Sequence, residues 1–158
     1  MNPLSLRLEY RITEASFRPE VSESVRKVYG LEIGKGYIYR TLVLFKSKGF
    51  WIGPFPMVYD TGAVVSLLPF RFFKMLQLEK FAPVKLTGIT SEMEISARLV
   101  RATLKFMDLK GIESPEIEAW IAIAEREDVP LIIGLKSIAE THEFKVNFRN
   151  KTFNLNFY

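Results

Sequence analysis

Alternation of apolar and polar positions is the strongest pattern along this chain. Leu4, Leu6, Leu8, Tyr10 and Ile12 alternate with polar or charged residues, and a period of two is typical of a half-buried β-strand. Similar runs, or runs rich in aromatic and β-branched residues, predict strands at 37–45, 57–59, 84–87, 93–106, 117–124, 144–148 and 153–157. Many strands at short spacing with little helix indicate an all-β barrel or sandwich.

Two stretches depart from strand spacing. After Pro69, apolar residues at helical spacing predict a short helix over 70–78, since proline is favoured at a first helical position. Residues 17–30 hold Pro19 and mixed charges, and we predict an excursion there with one helical turn at 23–28.

Two of the strands show signs of irregular pairing. Pro54 and Pro56 precede the apolar run at 57–59, and because proline has no N–H for a ladder, we expect 50–55 to lie outside the middle of a sheet. In the strand that begins at 93, the inward parity switches, which predicts a bulge near Leu99 and Val100.

Length and composition favour one globular domain over 1–158. The chain has 158 residues, 48% of them hydrophobic, which is enough to bury a core. Charges interrupt every apolar run, and 1–12 carries too many of them for a signal peptide, so a cytoplasmic protein without membrane contact is the default. A single glutamine, Gln77, and the excess of Glu over Asp hint at a heat-adapted source.

Few residues are available for chemistry. The absence of cysteine excludes disulfides, thiol catalysis and Cys-based zinc sites. The one histidine, His142, leaves no His-rich metal site, so we expect no metal and no cofactor. The net charge of +4 is scattered along the chain, which indicates a solubilising surface and gives thin support for a nucleic-acid partner.

Asp60 is the outlier among three aspartates. It ends the apolar run at 57–59, whereas Asp108 and Asp128 lie in turn contexts. An unpaired carboxylate at the end of a buried strand is costly, and chains accept that cost mostly where the acid has a function. Gly62 permits a sharp turn and a close approach of another chain.

The sequence around Asp60 resembles a known family. Asp60-Thr61-Gly62-Ala63, followed by Ser66, is similar to the active-site turn of aspartic proteases, in particular the single-domain, retropepsin-like branch with one turn per chain. Leu131 to Leu135 resembles the second apolar-apolar-Gly strand of that family, 137–143 has the place of its short helix, and 144–157 that of its closing hairpin.

The resemblance implies a closed acid-protease barrel over 1–158, with one or two short helices. It covers 50–158, and 1–49 is matched less securely as N-terminal strands or an extension. Peptide hydrolysis of this type needs two carboxylates so close that they cannot ionise together. Because the chain has one Asp-Thr-Gly turn, Asp60 must meet its symmetry mate in a homodimer to activate water against a peptide or protein substrate.

The resemblance also implies roles for the neighbours of Asp60. Thr61 would hold the partner's turn, Gly62 would accept a substrate backbone bond, and Ala63 would line the pocket. The implied flap and substrate-binding residues are Gly88, Ile89, Thr90, Val65, Ile133 and Gly134. The strands at 4–10 and 153–158 would pair with those of the partner.

Departures from the family pattern leave alternatives open. Val64 stands where viral members often have an acid, and Lys136 where an acid or Arg is usual. The alternative for Asp60 is an aspartate that caps its own loop. Ser66 is expected to be a structural hydroxyl, and His142 a partly exposed histidine at a helix end. The other functions are a non-catalytic peptide-binding or dimerisation module on the same fold, and a nucleic-acid-binding barrel.

Overall fold

The described part of the chain is built almost entirely of strands. The computed structural model describes residues 4–14, 35–87, 94–150 and 152–157, with the backbone alone for 8–14 and 35–38. Its elements are β1 (Leu4–Glu14), β2 (Lys35–Ser47), β3 (Phe50–Tyr59), β4 (Ser66–Leu68), α1 (Arg71–Met75), β5 (Ala82–Leu86), β6 (Ile95–Met107), β7 (Ile117–Ala124), β8 (Ile132–Ile133), a 3-10 helix (Ala139–Thr141), β9 (His142–Asn147) and β10 (Thr152–Phe157). The all-β prediction is confirmed. The predicted excursion at 17–30 and the flap residues Gly88, Ile89 and Thr90 lie outside the described residues.

The strands form one sheet in the order β5-β6-β7-β4-β8-β3-β2-β1-β10-β9. β2 also pairs with β6, from Leu42 opposite Met107 to Phe45 opposite Leu104. Each strand from β6 through β7, β4, β8 and β3 to β2 therefore pairs with the next, and β2 pairs again with β6. The retropepsin-like form of the fold and its single-domain extent stay predictions.

The two ends of the described chain pair with each other. Residues 4–9 of β1 pair antiparallel with β10, and 10–14 continue against β2. The other edge of β10 is occupied by β9. Because a strand has only two edges, β10 is not free for the expected pairing with a partner's strand, whereas each half of β1 has one edge paired within the described residues.

The prolines of β3 lie in a strand that pairs with β2 along one edge, in agreement with the prediction that 50–55 is outside the middle of a sheet. Pro56 is opposite Leu42 of β2, and a register shift follows between Val43 and Phe45. On its other side, within the described residues, β3 pairs with β8 only at Val58 and Tyr59. The missing proline N–H groups are tolerated because most of β3 has only one paired edge.

The predicted bulge in β6 is absent. The β6 pairings with β5 and β7 keep a regular register from one end to the other. The buried parity switches because β6 contacts two apolar clusters: Ala97 belongs to the smaller one, and Val100, Leu104 and Phe106 belong to the main core. A change of packed face along one strand imitates the sequence pattern of a bulge.

The helical predictions are confirmed in shortened form. Within the predicted 70–78, α1 covers Arg71–Met75 and buries Phe72 in the main core. Of the segment 137–143, only Ala139–Thr141 forms a 3-10 helix, and β9 begins at His142. The chain therefore reaches its last hairpin directly after one helical turn.

Candidate active site

Asp60 is placed by two parallel strands. It follows β3 directly, and its N–H donates to the carbonyl oxygen of Ile133 at 2.9 Å. One step earlier, the N–H of Val58 donates to the carbonyl oxygen of Leu131 at 3.0 Å. This ladder continues the β3–β8 pairing to the position of the acid, so the backbone of Asp60 is fixed by β8.

The turn after Asp60 is closed by its own side chain. The N–H of Gly62 donates to Oδ1 of Asp60 at 2.9 Å, and the N–H of Ala63 donates to the Asp60 carbonyl oxygen at 3.2 Å. Asp60 is half-buried, while Thr61 and Gly62 are exposed. Among the described residues, Oδ2 of Asp60 has no hydrogen-bond partner. One carboxylate oxygen therefore holds the turn and the other is available to a ligand.

The residues beyond the turn are bound to the stretch that follows β8. Backbone N–H groups of Leu135 and Lys136 donate to the carbonyl oxygens of Ala63 at 3.0 Å and Val64 at 2.8 Å. In addition, the buried hydroxyl Oγ of Ser66 accepts the N–H of Gly134 at 2.9 Å. Ser66 is thus a structural hydroxyl, as the sequence suggested.

Gly134 makes this close approach possible. A Cβ at this position would lie 2.4 Å from the carbonyl carbon of Val65, which no side-chain rotation can relieve. No contact supports the predicted role of Gly134 in substrate binding, because Gly134 is buried against the loop and does not line the cavity. The structure gives it a packing role.

A cavity of about 430 Å³ lies beside the turn. Its lining includes four of the predicted site residues, Asp60, Gly62, Ala63 and Val65. The other lining residues are Val64, Leu67, Lys85, Leu86, Thr87 and Ile132. Ile132, not the predicted Ile133, is at the cavity wall, since neighbouring residues of a strand face opposite sides and Ile133 is fully buried in the main core.

The other side of the turn is an open groove of about 380 Å³. Thr61 lines it together with Gly62, Ala63, Val64, Leu135, Lys136, Ala139 and Glu140. Val64 is 76% exposed there. The turn thus separates an apolar cavity from a groove with an exposed apolar residue.

Behind Asp60 lies a buried polar pair that the sequence did not reveal. The hydroxyl of Tyr59 and Nε2 of His142 are 2.7 Å apart, and both side chains are buried. Burial raises the pKa of Tyr59 to about 12 and lowers the pKa of His142 to about 4. The expectation of a partly exposed helix-end histidine was wrong. The alternation of His142 with Phe144 and Val146 was the available signal of a strand.

Two further findings concern ligands and surroundings. The described ranges contain no group of three or more His, Asp or Glu side chains arranged to hold one metal ion. In the same part of the chain, no helix is long and apolar enough to cross a membrane.

Comparison with known proteins finds similarity among solved structures. No family model matches the chain, and no curated protein matches it either. The crystal structure of a retropepsin-like aspartic protease from Rickettsia conorii is similar, with a TM-score of 0.48 and 14% identity over 99% of this chain and 96% of that chain.

Proposed function

We propose that the chain is an aspartic endopeptidase of retropepsin-like type that works as a homodimer. Asp60 and its symmetry mate would share one proton, and the ionised acid would draw a proton from a bound water while the protonated acid polarises the peptide carbonyl. No cofactor takes part in this chemistry. Activity should fall once both acids of the pair are ionised.

The observation that carries this proposal is the anchoring of the Asp60 turn. Its backbone is fixed by β8 and its far side by Leu135 and Lys136, while one carboxylate oxygen is left without a partner among the described residues. An aspartate that served only to cap its loop would not need a second segment to hold it. Catalysis by a positioned carboxylate does require such rigidity.

The two sides of the turn fit a substrate and a mate. The lining of the cavity includes Val65, Leu67, Leu86 and Ile132, which suits an apolar side chain of an extended peptide. The groove with Thr61 and the exposed Val64 is the surface where a second turn would meet the first. In the proposed dimer, Thr61 holds the partner's turn and the residues 88–90 act as a flap.

Subunit mixing tests the shared acid pair directly. Wild type is mixed with increasing fractions of Asp60→Asn under conditions that allow subunits to exchange, and cleavage of an apolar peptide at acid pH is followed. If both acids are required, an equal mixture retains about a quarter of the activity, because only dimers of two wild-type subunits work. Retention of about half would mean that each chain acts alone and would contradict the dimer.

The same experiment separates the enzyme from the alternative. A non-catalytic peptide-binding module would bind the peptide in both forms of the chain and cleave it in neither. Equal cleavage by wild type and by pure Asp60→Asn would reject Asp60 as the catalytic acid. The mass in solution of both forms provides the control, because the substitution must leave the assembly intact.

A further inference from the structure

One segment of the chain holds both flanks of the Asp60 turn. On the far flank, Leu135 and Lys136 bind the carbonyl oxygens of Ala63 and Val64 through their backbone. On the near flank, the side chain of Tyr59 binds His142. All three contacts come from residues 135–142, so this short segment clamps the turn from both ends.

The tautomer of His142 follows from counting protons. The hydroxyl of Thr141 donates its only hydrogen to the carbonyl oxygen of Ile138 at 2.7 Å, and its Oγ1 lies 2.9 Å from Nδ1 of His142. Nδ1 must therefore carry the proton and donate it to Oγ1. In a neutral ring Nε2 is then the acceptor, so the hydroxyl of Tyr59 donates to it. The chain of donors runs from Tyr59 through His142 and Thr141 to the backbone of the clamp.

The surroundings of His142 favour this neutral state. From β6 and β10, the rings of Phe106 and Phe157 face it, with ring centroids at 5.9 and 4.9 Å. Within the described residues, Tyr59 is the one titratable side chain that contacts it, since Glu143 and Lys145 alternate to the exposed face of β9 and Glu140 is also exposed. Among these described residues, no acidic side chain contacts the ring to compensate a positive charge on it.

We propose that His142 is a positioning residue for Asp60. It binds the buried hydroxyl of Tyr59, the residue directly before Asp60, and so holds the acid in place. The inference rests on the proposed function of Asp60 for its consequence in catalysis, but the clamp itself is a property of the fold. His142 does not line the cavity beside Asp60, so its role is to position the acid and not to contact a substrate.

Protonation of His142 weakens the clamp. A proton on Nε2 would donate to the oxygen of Tyr59 and reverse the bond, and the surrounding phenylalanine rings offer no acceptor for the hydrogen of the Tyr59 hydroxyl. Burial holds the pKa of His142 near 4, below its ordinary 6.5. The unfolded chain therefore takes up this proton before the folded chain does, and stability falls as the pH drops from about 6.5 to 4. In the folded chain the ring stays neutral, and the clamp intact, down to about pH 4.

Because the chain has a single histidine, nuclear magnetic resonance reads this site without ambiguity. We expect the ¹⁵N signals of the ring to show a protonated Nδ1 and an unprotonated Nε2 at pH 7, and titration near pH 4. An Nε2–H tautomer, or titration at the ordinary value of a surface histidine, would overturn the proposed hydrogen-bond chain.

A matched set of variants tests the positioning role. His142→Leu removes the acceptor, whereas His142→Gln supplies a carbonyl oxygen at the place of Nε2 and cannot become charged. We expect kcat of His142→Leu to fall about 10-fold to 100-fold with KM nearly unchanged. His142→Gln should recover most of kcat. It should also lack the fall in kcat at acid pH that protonation of His142 causes. Lys145→Gln, exposed on the same strand, is the control.

Hydrogen exchange keeps the inference distinct from the proposed function. In His142→Leu the amide of Asp60 should exchange about tenfold faster relative to the amides of β7, which report global unfolding. Unchanged exchange and unchanged kcat would overturn the positioning role. Faster exchange at Asp60 in a protein that cleaves no peptide would uphold the clamp and reject the peptidase.

Discussion

Two aspartates of this chain form nearly the same local turn. Asp60 follows β3 and Asp108 follows β6, and each accepts the N–H of the residue two positions later. The distance from Oδ1 is 2.9 Å in both cases, to Gly62 and to Lys110 respectively. Judged by this bond alone, both would be aspartates that cap their own loops.

What differs is where each turn finds its remaining support. Asp108 is 4% exposed, its Oδ1 also accepts the N–H of Ile112 at 2.9 Å, and its own N–H donates to the carbonyl oxygen of Ile112 at 2.9 Å. That loop is closed by itself. The Asp60 turn is held by β8 and by Leu135 and Lys136 instead, and borders a cavity. The two turns therefore differ in what fixes them and in what they border: the Asp108 loop is closed by its own carboxylate, whereas the Asp60 turn is held by other segments beside a cavity.

The largest expected effect separates the two acids by activity. Asp60→Asn should lower kcat at least about 10³-fold, because an amide can neither share the proton nor serve as base, while the free energy of unfolding changes little. Asp108→Asn should leave kcat per folded molecule unchanged. Peptide cleavage and urea denaturation of both variants check this. Loss of cleavage in Asp108→Asn at full folding would remove the distinction between the turns.

Gly134→Ala should produce the largest loss of stability. The added methyl group would overlap the backbone of Val65, so β8 and the turn must separate at a cost of about 3 kcal/mol. Gly111 is the control for an added methyl group without a clash, since its Cβ would have nothing within 4 Å and only its φ of +85° costs about 1 kcal/mol. Denaturant midpoints measure the difference. An equal and small loss at both glycines would mean that the Asp60 turn is not held tightly by the segment after β8.

Removal of each carboxylate should then show which loop depends on its own acid. Asp108→Ala leaves the N–H groups of Lys110 and Ile112 without their acceptor, which should cost about 2 kcal/mol. Asp60→Ala leaves only the N–H of the exposed Gly62, which water can satisfy, so its cost should stay below about 1 kcal/mol. Thermal or urea unfolding at pH 7 compares them, and a reversed order would assign the structural role to Asp60.

Much of the fold could be predicted because it is local in sequence. Period-two alternation located β1, β7 and the final hairpin, and the proline before α1 located the helix. The failure at β6 is non-local, because whether β6 bulges depends on the two clusters that it contacts.

The site shows the same division. The turn residues were recognisable from four adjacent letters, but the choice between Ile132 and Ile133 depends on which face of β8 meets the core. The partnership of Tyr59 with His142 spans 83 positions, and no pattern in the sequence announces it. The dimer, the cellular location and the heat-adapted source stay predictions, because none of them is a property of one chain's backbone.

The smallest effect sharpens the comparison at the glycines of the two turns. Gly111 has a φ of +85°, a conformation that side chains other than glycine adopt at a cost of about 1 kcal/mol, so Gly111→Ala should lower stability by that amount and leave cleavage unaffected. Gly62 is not in that region, and its added Cβ would instead lie 3.3 Å from Oδ1 of Asp60. Gly62→Ala should therefore cost little stability but shift the carboxylate by a few tenths of an ångström and lower kcat/KM about tenfold. The two variants should therefore change different quantities: Gly111→Ala the denaturant midpoint, and Gly62→Ala the cleavage rate. If Gly62→Ala instead lost stability and kept its rate, the geometry around Oδ1 would matter to the loop and not to the chemistry.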